Sequence, residues 1–138
     1  MTSSTSAGID VGSVGRASMI VGASDTARSQ HSGDVEVLAT PRLLALCEEA
    51  AVATISPFLP PDKTSVGARA EIDHLAPSFI GAQVEATAKV VEVSGSRIVF
   101  DIEALEGEKP VGRCRHVRVI VERSRFDFVQ KGDQDTGR

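Results

Sequence analysis

Thr40, Glu48, Gly67 and His74 are the residues of this 138-residue chain whose types and spacing suit chemistry at a carbonyl group. Thr40 precedes Pro41 at the start of a helical pattern, where a threonine caps well and a proline leaves no amide hydrogen unpaired. Capping alone explains that threonine. The same helix end also offers free amides and a positive dipole end, which suit an oxyanion or a polarised carbonyl. Glu48 falls on the apolar stripe of the helix, with Leu44, Cys47, Ala51 and Ile55. A buried carboxylate is costly unless partnered, and burial raises its affinity for a proton, as a general base requires. Its neighbour Glu49 turns instead toward Arg42, Ala45, Ala53 and Ser56, a solvated face. The competing reading places Glu48 at a helix or subunit edge, paired with an arginine.

His74 has the strand parity of Val66, Ala68, Ala70 and Ile72, so it is expected to face inward, with Glu48 or Thr40 as its partner. A lone inward histidine is also a common structural residue. Gly67 lies inside the same strand, where glycine marks a bulge or a close backbone approach. Its amide suits an oxyanion hole, and a plain sheet irregularity explains it equally well. His31 falls in a polar loop. His116 falls on the strand face opposite Val117 and Val119. The three histidines have no metal-ligand spacing.

These residues need a scaffold to hold them. A helix is predicted over Pro41–Ile55, with apolar Leu43, Leu44, Cys47, Ala50, Ala51 and Ile55 at helical spacing and Pro57 as its stop. The helix is nearly apolar, so burial on more than one side is expected. The period then changes to two. Strands are predicted over Ser65–His74, Gln83–Val93, Arg97–Leu105 and Val111–Glu122, with a first strand at Arg16–Val21. Ser94-Gly95-Ser96 and Glu106–Pro110 read as turns. The expectation is α+β: one buried helix wrapped by a curved antiparallel sheet, its last four strands in a meander. That is the hot-dog fold; a split barrel or a cystatin-like sheet and helix are alternatives. Open sheet edges and a partly exposed helix point to a homodimer, or a dimer of dimers.

Composition sets the remaining bounds. The chain is 41% hydrophobic and 25% charged, with five Phe and no Trp or Tyr. Its core must be built from Val, Ala, Leu and Ile, small enough for a helix to approach a sheet closely. A net charge of −4 argues against nucleic acid as partner. Arg113, Arg115, Arg118, Arg123 and Arg125 read as the solvated face of a strand, or as a local anion site. Cys47 and Cys114 fit neither a metal nor a CxxC spacing, so they read as core thiols in a reducing compartment. No long apolar run is present, so neither a membrane partner nor a membrane span is expected, and the chain is expected in the cytoplasm. Residues 1–12 read as a disordered lead, 13–130 as one domain, and 131–138 as a polar tail.

Ala39-Thr40, the helix bearing Glu48, Ser65-Val66-Gly67 running to Asp73-His74, and His116-Val117-Arg118-Val119-Ile120 followed by Phe126 resemble, in order and spacing, the fluoroacetyl-CoA thioesterase family of hot-dog proteins. The resemblance covers about Val11 to Phe128. It implies an acyl-CoA thioester as substrate and a Thr, Glu, His constellation falling on Thr40, Glu48 and His74. It also implies a glycine contacting the thioester at Gly67, dimers with sites near the subunit interface, and no cofactor beyond the coenzyme A of the substrate. The fluoroacetyl-specific member carries phenylalanines before its threonine. Here Ser29-Gln30-His31-Ser32-Gly33-Asp34 has no aromatic, which implies a different acyl group. Two other functions fit the same fold. A hydratase or dehydratase pairs an Asp with a His, but Asp73 and His74 alternate to opposite faces. A non-catalytic module would hold an acyl ligand without turnover.

Overall fold

The computed structural model describes residues 8–126. Among these residues, five strands and one long helix follow in the order β1 (Val14–Ile20), α1 (Thr40–Ile55), β2 (Lys63–His74), β3 (Gln83–Ser94), β4 (Arg97–Glu106) and β5 (Lys109–Glu122). The strands form one antiparallel sheet in the order β1-β3-β4-β5-β2, and α1 touches all five.

This order corrects the expected meander of four strands. Only β3, β4 and β5 follow one another, joined by two-residue loops with Gly95 and Gly107 at positive φ. The link between β2 and β3 spans eight residues, 75–82, long enough to cross the sheet. β2 therefore pairs with β5, from Lys63 opposite Glu122 to His74 opposite Gly112. β1 and β2 are left as the two edges.

Small residues let the helix sit low on the sheet, as the composition suggests. A Cβ on Gly15 would lie 2.6 Å from the Thr54 backbone nitrogen, and one on Gly112 would lie 2.7 Å from a Leu43 methyl. The core is aliphatic, from Leu43, Leu46, Ala50 and Ile55 on α1 to Val84, Val90, Ile98 and Ile102 on the sheet, with Phe100 among them. Cys47 on α1 and Cys114 on β5 are free, buried and close neighbours. The neighbouring Cys114 and burial push the Cys47 thiol far above its ordinary range, so it stays protonated.

Two further expectations change. The helix is covered on one side only: Glu49, Val52 and Ala53 are exposed, because the sheet packs against a single face. The expected lead over 1–12 divides. Residues 1–7 lie outside the described residues, whereas Ile9 is 1% exposed in the core and the Gly12 amide donates to the Val90 carbonyl at 2.8 Å. The tail at 131–138 also lies outside the described residues.

Candidate active site

The helix begins one residue earlier than its pattern implies, and this changes the role of Thr40. Ala39 is the N-cap, and Thr40 is already helical. The helix start is anchored by Asp25 instead. Its carbonyl accepts from the Ala39 amide at 2.8 Å, and its carboxylate pairs with Arg42 Nε at 3.1 Å. Thr40 is thereby free of capping, and its Oγ1 lies 2.7 Å from His74 Nδ1 at the end of β2.

His74 is half-buried, and burial lowers its proton affinity below the ordinary histidine range, so it is neutral near pH 7. Its Nε2 is enclosed without a hydrogen-bond partner among the described residues. A buried N–H without an acceptor is rarer than an idle acceptor. The contact fits either tautomer: Nδ1–H donates to Thr40 Oγ1, or the Thr40 hydroxyl donates to Nδ1. Asp73 is opposite Arg113 in the register, on the other face from His74.

Glu48 stands apart from this pair. It lies eight residues further along α1, about 12 Å along the helix axis. Its side chain is 39% exposed, not enclosed as the apolar stripe implied. Oε2 lies 3.9 Å from His116 Nε2 and 4.0 Å from Arg118 Nη1. The arginine partner named in the competing reading of Glu48 is therefore present. Glu49, as its face implies, lies 3.5 Å from Arg42.

Gly67 belongs with Glu48. It is opposite Arg118 on β5, and a Cβ there would lie 3.1 Å from Glu48 Oε2 and 3.3 Å from His116 Cε1. This favours the close-approach reading of a strand glycine. A bulge follows at once, between Gly67 and Arg69. The bulge breaks the parity used to orient β2: Val66 shares the outer face with Val119, while Ala70, Ile72 and His74 share the helix face with His116, Cys114 and Gly112.

His116 lies on the face opposite Val117 and Val119, as expected, and is 1% exposed; Arg118, expected on a solvated face or at a local anion site, is 8% exposed. His116 stacks on Phe100, and its Nδ1 donates to the Arg69 carbonyl at 2.8 Å. That fixes Nε2 as an acceptor, which takes a hydrogen bond from Arg118 Nη1 at 3.1 Å. The alternating valines of β5 suggested the opposite face. The signal available was that Arg118 shares parity with Cys114, a core candidate. Gly67, Glu48 and Arg118 line an open groove of about 530 Å3 beside Ala45, Val52 and Ala53.

The chain thus carries two polar clusters on one side of the sheet: Thr40 with His74, and Glu48 with Gly67, His116 and Arg118. The segment before Thr40 is exposed at Ser29 and from His31 to Glu36. Leu75, Phe79 and Ile80, on the link that leaves His74, are exposed apolar residues.

Comparisons with known proteins bear on the family and the fold. The profile of a family described as fluoroacetyl-CoA-specific thioesterase matches residues 21–124. A fluoroacetyl-CoA thioesterase of Streptantibioticus cattleyicolor is 30% identical over 92 residues, 67% of this chain and 66% of that protein. Among solved structures, a mutant of the fluoroacetyl-CoA-specific thioesterase FlK in complex with fluoroacetate and CoA superposes with a TM-score of 0.79 at 27% identity, covering 85% of this chain and 98% of that one. A hot-dog-like protein from Thermanaerovibrio acidaminovorans superposes with a TM-score of 0.78 at 29% identity, covering 94% of each chain. The fold is the hot-dog fold.

Proposed function

We propose a function from this premise: the chain belongs to the fluoroacetyl-CoA-specific thioesterase family. Its reaction is hydrolysis of an acyl-CoA thioester, with Thr40, Glu48 and His74 as the reacting constellation and Gly67 against the thioester. The observation that carries this reading is the 2.7 Å contact between Thr40 Oγ1 and His74 Nδ1, made by a threonine that the helix does not use as its cap.

We propose the His74 tautomer with its proton on Nδ1, and with it direct attack by water rather than a threonine nucleophile. With Nδ1–H donating to Thr40, the imidazole does not take the hydroxyl proton. Thr40 instead donates that hydrogen to the thioester carbonyl. Glu48 accepts a proton from water as its oxygen bonds to the carbonyl carbon. The Gly67 amide stabilises the charge that develops on the carbonyl oxygen. The carbon–sulfur bond then breaks, and the proton on Glu48 passes to the departing thiolate. The products are a carboxylate, free CoA thiol and one proton.

One carbonyl cannot meet groups about 12 Å apart on the same helix. In this proposal a homodimer, alone or paired into a dimer of dimers, brings Thr40 and His74 of one copy to Glu48 and Gly67 of the other. The open outer face of α1 and the two sheet edges support such association. The exposed, non-aromatic segment before Thr40 supports an acyl group other than fluoroacetyl. Leu75, Phe79 and Ile80 supply apolar surface beside His74 for it. We retain a cytoplasmic setting as part of the same proposal.

The test is thiol release from short acyl-CoAs, fluoroacetyl-CoA and acetyl-CoA included, by the natural chain, Glu48→Gln and His74→Ala. The reading expects loss of turnover in both variants. Unchanged rates in both overturn it.

A further inference from the structure

We propose that Arg118 is the positioning residue for Glu48, a buried guanidinium that fixes where the reacting carboxylate points. The inference rests on the reading of Glu48 as that carboxylate.

Three contacts hold the guanidinium. Nε donates to Ser65 Oγ at 2.9 Å, Nη2 donates to the Ser65 carbonyl at 3.1 Å, and Nη1 donates to His116 Nε2 at 3.1 Å. His116 is itself fixed, because its Nδ1–H is tied to the Arg69 carbonyl beside the bulge. The arginine is thus braced from two points on β2 and one on its own strand. A planar fork with donors in fixed directions can do this, and a lysine ammonium cannot.

The carboxylate is held differently. Glu48 makes no closed ion pair with Arg118, since 4.0 Å separates Oε2 from Nη1, and its side chain stays 39% exposed. Nη1 has a second hydrogen beyond the one given to His116. A fixed positive charge on the groove floor, beside a carboxylate open to the groove, sets direction without consuming both lone-pair edges. Gly67 completes the arrangement. Any side chain there would fill the space between Glu48 Oε2, His116 Cε1 and Arg118 Nη1. The roles separate accordingly: Glu48 meets the reactants, and Arg118 acts through Glu48.

The experiment is a double-mutant cycle on thiol release, with kcat and KM measured separately. Arg118→Gln is expected to lower kcat by about tenfold or more, with KM changed by less than about threefold. Arg118→Lys recovers little, because the fork is lost although the charge remains. Ser65→Ala removes one brace, keeps the charge, and lowers kcat by a smaller factor. In a Glu48→Gln background, Arg118→Gln causes no further loss, as expected for residues acting as one unit. Undiminished loss in that background overturns the proposal, because Arg118 then acts independently of Glu48. Full kcat in Arg118→Gln, with Glu48→Gln reduced to its residual rate, overturns the proposal and leaves the thioesterase reading standing. Full activity in Glu48→Gln sinks the role of Glu48 itself. Thermal melts accompany each variant. If Arg118→Gln does not fold, Ser65→Ala decides, and an unchanged kcat there counts against the brace.

Discussion

Gly67 lies directly across the sheet from Arg118, and the space its missing side chain leaves is occupied from above by the Glu48 carboxylate. A methyl group at Gly67 would meet Glu48 Oε2 at 3.1 Å, closer than an ordinary contact. Gly67→Ala is therefore expected to push the carboxylate aside while the strand survives. Turnover should fall about tenfold, equivalent to about 1.4 kcal/mol of barrier, with little change in melting temperature. Matched kinetics and melts check this, and an alanine variant with full turnover would show that Glu48 tolerates displacement.

Thr40 offers the reverse separation. Because Ala39 caps the helix, Thr40→Val removes only the contact to His74 and costs about 1 kcal/mol of stability, with no further loss of the kind a missing cap brings. The rate of thiol release should fall far more than the melt suggests. A large drop in melting temperature with a small loss of rate would return Thr40 to a structural role.

The two polar clusters predict complementation. Thr40→Ala and Glu48→Gln should each retain only a small residual rate alone. Mixed after refolding, a random dimer population contains one intact site per heterodimer, so about a quarter of the natural activity should return. If the two clusters serve sites within single chains, mixing restores nothing.

Two histidines set a pH dependence. Burial holds the proton affinities of His74 and His116 below the ordinary value of 6.5. The unfolded chain therefore binds more protons than the folded one as pH falls below about 6.5. The histidine contribution to stability is fully present above that value and is lost as pH drops through the lowered folded values. Melting temperature followed across this window should fall on the acid side, with a shallower slope in His116→Gln. An identical slope in the variant would place the effect elsewhere.

The closest approach of helix and sheet gives a prediction free of catalysis. Gly15→Ala would drive a methyl to 2.6 Å from the Thr54 backbone nitrogen, where no side chain can turn away. A loss at the upper end of about 1–3 kcal/mol is expected from denaturant unfolding. A near-neutral result would mean that β1 moves easily against α1.

Local periodicity made the helix, the two hairpins and the inward faces of β3 and β4 legible in the sequence, because each is decided by neighbours in the chain. The crossing of β2 to the far edge was not, since an eight-residue link permits either a neighbouring or a distant partner. Nor was the bulge after Gly67, where Ala68 drops out of register and reverses the parity of everything before it. His116 and Arg118 were hidden for a related reason. Val117 is buried on the outer face of β5, so apolar and polar residues are both covered along this strand. Alternation cannot identify the helix side when polar residues satisfy one another inside. Thr40 and His74 were legible as candidates, but their contact depends on strand and helix ends that only tertiary structure brings together.

The pairing of β2 with β5 also has a consequence in time. Ser65 and Arg118 are 53 residues apart in the chain, and their contact closes a long loop of the candidate site. Such distant pairings form slowly, because chain entropy must be lost before the contact is gained. On a ribosome, the helix and its glutamate emerge well before the strand that carries the arginine. A nascent chain halted before β5 holds the carboxylate with nothing to aim it, so competence for chemistry arrives with β5.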